Sequence, residues 1–240
     1  MENKTIKFHP ILFSTSMVQA ILEGKKKQTR RVIKSTPIEN ENYHFEKLEK
    51  FGSKAYGMIP NKEFEIDNIN SFSYNGIWFC PYEVDDVLWV RENFYTGCNF
   101  DHWKPSQLEQ CNVEVFFQAD LENYDIPSPL SRGKIRPSIF LPFKYCRTFL
   151  KIKSIRVERL QDISEEDAQA EGAHFLYHGL GTVIIDSHPD WEKLYKPRAS
   201  YKDGFHYIWK YINGEESWQL NPYVFVYEFE KIEKPLDFIV

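Results

Sequence analysis

Between Ile21 and Ile33 the chain reads Ile-Leu-Glu-Gly-Lys-Lys-Lys-Gln-Thr-Arg-Arg-Val-Ile. Lys25, Lys26, Lys27, Arg30 and Arg31 fall close together, with Thr29 among them. That set suits the binding of a ligand that carries negative charge. A local cluster of Lys and Arg can hold a phosphate or an RNA backbone.

The rest of the composition bounds what such a segment can serve. The chain has 240 residues and a formal net charge of −5, so any binding to nucleic acid must use a local patch. No apolar run approaches the length of a membrane span, and the N-terminus has no signal-peptide core, so a cytoplasmic setting and no membrane partner are expected. Aromatic residues make up 16%, which favours β-structure or stacking surfaces. Cys80, Cys98, Cys111 and Cys146 read as reduced thiols. Cys98, His102 and Cys111 match no zinc spacing, so no metal is expected. Neither GxGxxG nor a Walker loop is present, and no cofactor is expected.

The elements that must hold the basic segment can be read in order. Thr5 to Phe13 predicts a strand, with Pro10 at an edge or a bend. A helix follows from Ser16 to Glu23 and stops at Gly24, so the cations would leave a helix C-terminus. Ser35 to Pro81 is polar and predicts a loop or an elaboration with short strands. A turn at Glu83 to Asp86 feeds a strand from Val87 to about Phe94, with Trp89 and Arg91 on one face and Leu88, Val90 and Glu92 on the other. Thr96 to Asn112 reads as an excursion, Val113 to Ala119 as a strand, and Leu121 to Gly133 as a loop. The stretch Arg136 to Pro142 reads as a short extended piece bracketed by prolines. Arg147 to Leu160 is the longest strand candidate, lined by Lys151, Lys153, Arg156 and Arg159. Ser164 opens a short helix that ends near Glu171-Gly172. His174 to Pro197 is irregular. Ser200 to Ile212 predicts an amphipathic helix and Pro222 to Ile232 a last strand. A single mixed α/β domain over 1–240, built on a small β-barrel, fits this order, with insertions at about 35–80, 95–135 and 173–198.

Several blocks of the chain resemble the ASCH family, a PUA-like group of small β-barrels. They are Ile21-Leu-x-Gly24-x-Lys26-x-x-Thr29-x-Arg31, then Asp86-Val-Leu-Trp-Val-Arg-Glu92, the helix Ile163 to Gly172 and the strand Tyr223 to Phe229. The run Arg156-Val-Glu-Arg-Leu-Gln-Asp-Ile-Ser-Glu-Glu-Asp-Ala-Gln-Ala-Glu-Gly172 is similar to a branch common in phages and prophages. The resemblance implies RNA, or a modified nucleoside or nucleotide, as ligand. Another ASCH branch comprises the N4-acetylcytidine amidohydrolases, whose set is similar to Gly-x-Lys-x-x-Thr plus a glutamate. That likeness implies Lys26, Thr29 and Glu171 as a catalytic set. This chain is over twice as long as those enzymes, and it has Asp85-Asp86 where the family usually has Gly-Asp. A third alternative is a phage-related interaction protein without catalysis.

Around that set the expected ligand contacts are Lys25, Arg30, Arg31, Trp89, Arg91, Glu92 and Arg136. Trp89 or Tyr82 could stack a base, although a tryptophan in mid-strand more often belongs to a core. Glu92, if it points inward, needs a cation, for which Arg31 or Lys26 would serve. Arg136 is either a second anion contact or a surface residue.

Overall fold

The computed structural model describes residues 6–34, 43–60, 76–120, 131–173, 176–177, 199–236 and 238. The strands are β1 Phe8–Leu12, β2 Gln28–Val32, β3 Tyr43–Lys47, β4 Ala55–Pro60, β5 Ile77–Phe79, β6 Val87–Arg91, β7 Phe94–Tyr95, β8 Phe116–Phe117, β9 Phe149–Arg159, β10 Leu176–Tyr177, β11 Ala199–Ser200 and β12 Tyr223–Ile232. The helices are α1 Thr15–Leu22, α2 Pro105–Gln110, α3 Glu165–Ala170, α4 Tyr201–Asn213 and α5 Glu216–Gln219. The fold is mixed α/β with several sheets and few helices, and none of the sheets closes into a barrel among the described residues. The expected loop over Leu121 to Gly133 and the irregular stretch His174 to Pro197 lie largely outside the described residues.

The chain divides into two compact units. The first comprises Met1–Lys26, Asp85–Ile152 and Phe229–Val240; the second comprises Lys27–Val84 and Lys153–Glu228. Strands β9 and β12 contribute residues to both.

In the first unit β1 runs parallel to β6, with Phe8 opposite Val87 and Leu12 opposite Arg91. The start of β9 lies antiparallel on the other side of β6, with Trp89 opposite Phe149. Pro10 lacks an N–H and sits on β1, which pairs with no second strand among the described residues. α1 begins where Ser14 Oγ accepts the Met17 N–H, and it buries Val18 and Ile21. Gly24, at φ +73°, then takes the left-handed turn that ends it. Val87, Trp89, Phe94, Leu108, Phe149 and Phe238 pack into this unit's core.

Two expectations fail here. The strand over Val113 to Ala119 shrinks to Phe116–Phe117, because Asn112 turns at φ +50° and Gln118–Asp120 coils into a 3-10 turn. The extended piece from Arg136 to Pro142 is instead a 3-10 turn over Ser138–Phe140, followed by another over Phe143–Tyr145. Pro137 and Pro142 precede these turns, where a fixed φ and a missing N–H favour a turn start.

In the second unit β2 pairs antiparallel with β12, placing Thr29 opposite Tyr227 and Arg31 opposite Phe225. This corrects the helix-end reading of the basic segment: after Lys27 the cations belong to a strand. β3, β4 and β5 form an antiparallel sheet within the stretch expected to be loop or short strands. Ser164 caps α3 by accepting the Asp167 N–H at 3.0 Å, and Gly172 follows it at φ +81°. Ser200 caps α4 in the same way. α4 buries Phe205 and Trp209, while Ile212, expected on the apolar stripe, is exposed. Leu160, Ile163, Ala168, Phe205, Trp209, Val224 and Val226 form the core of this unit.

Candidate functional site

The main-chain N–H of Lys27 donates to the Ala170 carbonyl at 2.6 Å, which ties the start of β2 to the end of α3. From there β2 alternates its side chains between two faces. Gln28 and Arg30 share a face with Val226 and Glu228, their partners on β12. The Arg30 side chain is fully buried. Its Nη2 donates to Glu158 Oε1 at 2.5 Å and to Asp167 Oδ2 at 3.0 Å, and its Nη1 donates to Glu171 Oε1 at 3.0 Å. Arg156 donates to Asp167, Glu158 and Glu228. Gln28 Nε2 donates to Asp167 Oδ1 at 2.9 Å and to Glu228 Oε1 at 3.1 Å. Two guanidiniums thus hold four carboxylates. Burial pushes the Asp167 carboxyl up, but the Gln28 hydrogen bond and the charges of Arg156 and Arg30 outweigh it, and the net displacement is downward.

Arg30 therefore does not offer its guanidinium to a ligand, contrary to the sequence expectation. The carboxylates of β9 and α3 occupy it. Glu171 sits at the end of α3 and accepts from Arg30, a partner that the sequence reading did not foresee.

The opposite face of β2 is different in kind. Thr29 is buried there opposite Tyr227, and Arg31 is exposed opposite Phe225. Tyr82 packs its ring edge-to-face against Tyr227, 5.1 Å between centres. Tyr56 does the same against Phe225 at 5.4 Å. Cys80 Sγ lies 3.5 Å from Tyr227 Oη. Burial, reinforced by the Cys80 thiol, holds the Tyr227 phenol far above its ordinary value. Burial likewise raises Tyr82, and there the Arg31 charge pulls the other way. Tyr56 is pushed up to about 12, again chiefly by burial. Arg31 thus acts electrostatically on two phenols of one face.

These phenols set an alkaline limit. A group whose pKa is raised on folding adds stability that is fully present below its unfolded value of about 10 and is lost as pH rises through the folded value. Phenolate absorbance should therefore show a fraction of tyrosines silent through pH 10. That fraction should then ionise in one step with the loss of circular dichroism. Smooth ionisation of every tyrosine near pH 10 with the fold intact would contradict the buried-phenol account.

The remaining predicted residues lie in the first unit. Lys26 is only 2% exposed, and its Nζ lies 5.7 Å from the centre of the Phe13 ring. Lys25 is on the surface and pairs with Glu23 at 2.8 Å. Trp89 is a core residue, packed edge-to-face on Phe143, so its ring is not an open stacking platform. Arg91 places its guanidinium 4.7 Å from the Trp89 ring centre and donates to the Ile139 carbonyl. Glu92 points inward as expected and is 1% exposed, but its cation is Arg147, which donates through Nε at 3.1 Å and Nη2 at 2.9 Å. Thr148 donates to the same carboxylate. Arg136 is buried, and its terminal nitrogens donate to the Trp103 and Phe100 carbonyls, so it anchors a loop rather than facing an anion.

Cys98 and Cys111 are exposed free thiols, and no group of His, Cys, Asp and Glu among the described residues has a metal-binding arrangement. No helix among the described residues is long and apolar enough to cross a membrane. Comparisons with family models, curated proteins and solved structures find no match to this chain.

Proposed function

We propose that this chain binds RNA or a modified nucleoside through the face of β2 and β12 that carries Thr29, Arg31, Tyr82 and Tyr227, on an ASCH/PUA-like framework of the barrel type. One observation carries the reading: the exposed Arg31 guanidinium, the Thr29 hydroxyl and the Tyr227 phenol share one face of β2 and β12, and the Tyr82 ring packs on Tyr227. Single-stranded bases are recognised by stacking on aromatic rings and by hydrogen bonds to their edges, with cations on the phosphates. In this reading Tyr82 supplies the ring, Thr29 a hydrogen bond and Arg31 the positive charge.

The amidohydrolase reading rests on the Gly24-x-Lys26-x-x-Thr29 spacing and on one observation. Lys26 and Thr29 are both buried, which is uncommon for lysine, whereas Glu171 is held by Arg30, whose side chain leaves β2 on the face opposite Thr29. In that chemistry Thr29 Oγ1 attacks the acetyl carbonyl of N4-acetylcytidine and Lys26 takes the hydroxyl proton. The proton passes to the departing N4 amine, and water then cleaves the acyl-threonine to give acetate.

A single ligand panel tests both. Binding of a short labelled RNA, cytidine and N4-acetylcytidine is measured for the wild type, Tyr82→Ala and Arg31→Ala. Loss of one stacked base is worth roughly 1–3 kcal/mol, so Tyr82→Ala should weaken binding by about 5- to 150-fold. Arg31→Ala should reduce the salt slope of RNA binding by about 0.7. Affinities and slopes unchanged in both variants would remove this face as the site. Acetate released by the wild type and abolished in Thr29→Ala, with binding retained, would establish hydrolysis.

A further inference from the structure

Among the described residues, the first unit contains buried donors with no hydrogen-bond partner. β7 and β8 place Tyr95 opposite Phe116, with the rings stacked 5.5 Å apart. On the other side of β7 an extended stretch runs antiparallel through the bridges Phe94 to Arg136 and Gly97 to Arg132. The register shifts by one residue between those bridges, which brings Arg132 onto the Tyr95 face. Its guanidinium carbon lies 5.2 Å from the Tyr95 ring centre. The stretch is held in place at Gly133, where a Cβ would meet Asp101 Oδ1 at 2.3 Å and the Thr96 carbonyl at 2.8 Å. The Lys134 N–H also donates to Asp101 Oδ1 at 2.9 Å. Arg132 is thus positioned by backbone that tolerates no side chain at the next residue.

Tyr95 is fully buried, yet its Oη has no hydrogen-bond partner among the described residues. Arg132 Nε is also buried without one. Buried polar atoms are nearly always paired, and an unpaired one marks strain or an unfilled role. A phenol with an ordinary value of about 10 is a proton donor at neutral pH, and burial moves Tyr95 further in that direction. The nearby carboxylate of Asp120, which would repel an anion, is already held by two hydrogen bonds from Arg147.

We propose that Arg132 and Tyr95 form an oxyanion site that takes a phosphate group, with the guanidinium and the phenol O–H donating to different oxygens. Charge-assisted bonds from a guanidinium to phosphate are among the strong ones, and a phosphate has enough acceptor oxygens for both donors. Arg132 lies over the ring and is half-buried, while Tyr95 is fully buried, so binding requires the Arg132 side chain to move before a phosphate reaches the phenol. The site is independent of the nucleoside-binding face, and its test needs no base.

Thermal unfolding of the full chain is measured in inorganic phosphate and in chloride at matched ionic strength. About 50 mM phosphate against a Kd of roughly 5 mM shifts the folded-to-unfolded ratio about tenfold, which raises the midpoint by roughly 3–5 °C. Arg132→Gln and Tyr95→Phe should each abolish that rise. Tyr95→Phe removes a hydroxyl with no hydrogen-bond partner among the described residues, so its midpoint in chloride should equal or exceed the wild type, separating loss of ligand from loss of fold. Cytidine 5′-monophosphate in a parallel arm identifies the source. A larger rise that Arg132→Gln abolishes assigns the site to a nucleotide phosphate, and an equal one assigns it to free phosphate. No phosphate-specific rise in the wild type, or the same rise in both variants, overturns the site.

Discussion

Arg30→Met is expected to destabilise the protein by about 3–5 kcal/mol, read as a lower urea midpoint at unchanged slope. The size follows from what is left behind. Arg30 is the shared donor to Glu158, Asp167 and Glu171, and its own side chain is inaccessible to water. Without it, Arg156 still donates to Glu158, Asp167 and Glu228, but one of the two guanidiniums that hold the four carboxylates is gone. Removing one partner from a buried ion cluster costs far more than the cluster contributes as a whole, because charge stays buried without compensation. Adding Glu158→Gln and Glu171→Gln to Arg30→Met should therefore recover part of the loss. Arg31→Met, one residue along the strand and exposed, should change stability by no more than about 0.5 kcal/mol. If Arg30→Met and Arg31→Met proved equally mild, the lattice would not be the structural centre of the second unit.

The contrast between these neighbours shows what the sequence could reveal. The ends of α1, α3 and α4 were legible because their signals are local, whereas α2 and α5 were not foreseen. Ser14, Ser164 and Ser200 cap from within three residues, and Gly24, Gly172 and Gly214 turn with positive φ at the stops. The strands β9 and β12 were legible from their β-branched and aromatic runs. β2 was not, since Gln-Thr-Arg-Arg-Val carries too little apolar alternation to announce a strand. Its burial comes from carboxylates 128, 137 and 141 residues further along. Glu92 illustrates the same limit. Its inward direction followed from alternation along β6, but its cation depends on which strand lies alongside. That strand is β9, which brings in Arg147 rather than Arg31 or Lys26. Arg136 was least legible, because it donates to the carbonyls of Phe100 and Trp103, and a backbone acceptor has no sequence identity. Of the candidate binding face, Thr29, Arg31 and Tyr82 could be named from sequence. Tyr227 could not, because it became part of that face only through the pairing of β2 with β12.

Trp89→Ala should cost about 3–5 kcal/mol of stability while leaving nucleoside affinity unchanged. Trp89 is 7% exposed, its ring edge-to-face with Phe143 at 5.2 Å and 6.3 Å from Phe238. Phe238 also stacks on Phe143 at 4.0 Å and meets Phe149 at 4.6 Å. Truncation would open a cavity that this aromatic cluster fills only partly, and the cost of such a cavity adds to the lost burial. Arg91 would also lose the ring face over which its guanidinium lies. Tyr82→Ala should show the reverse pattern, with the larger effect on binding, because Tyr82 is half-buried and packs on Tyr227 at the candidate face. The two variants form a crossed pair: stability is read by chemical denaturation and affinity by calorimetry at a temperature where both remain folded. A loss of affinity in Trp89→Ala beyond its unfolded fraction would return the tryptophan to the ligand site and displace Tyr82 as the stacking ring.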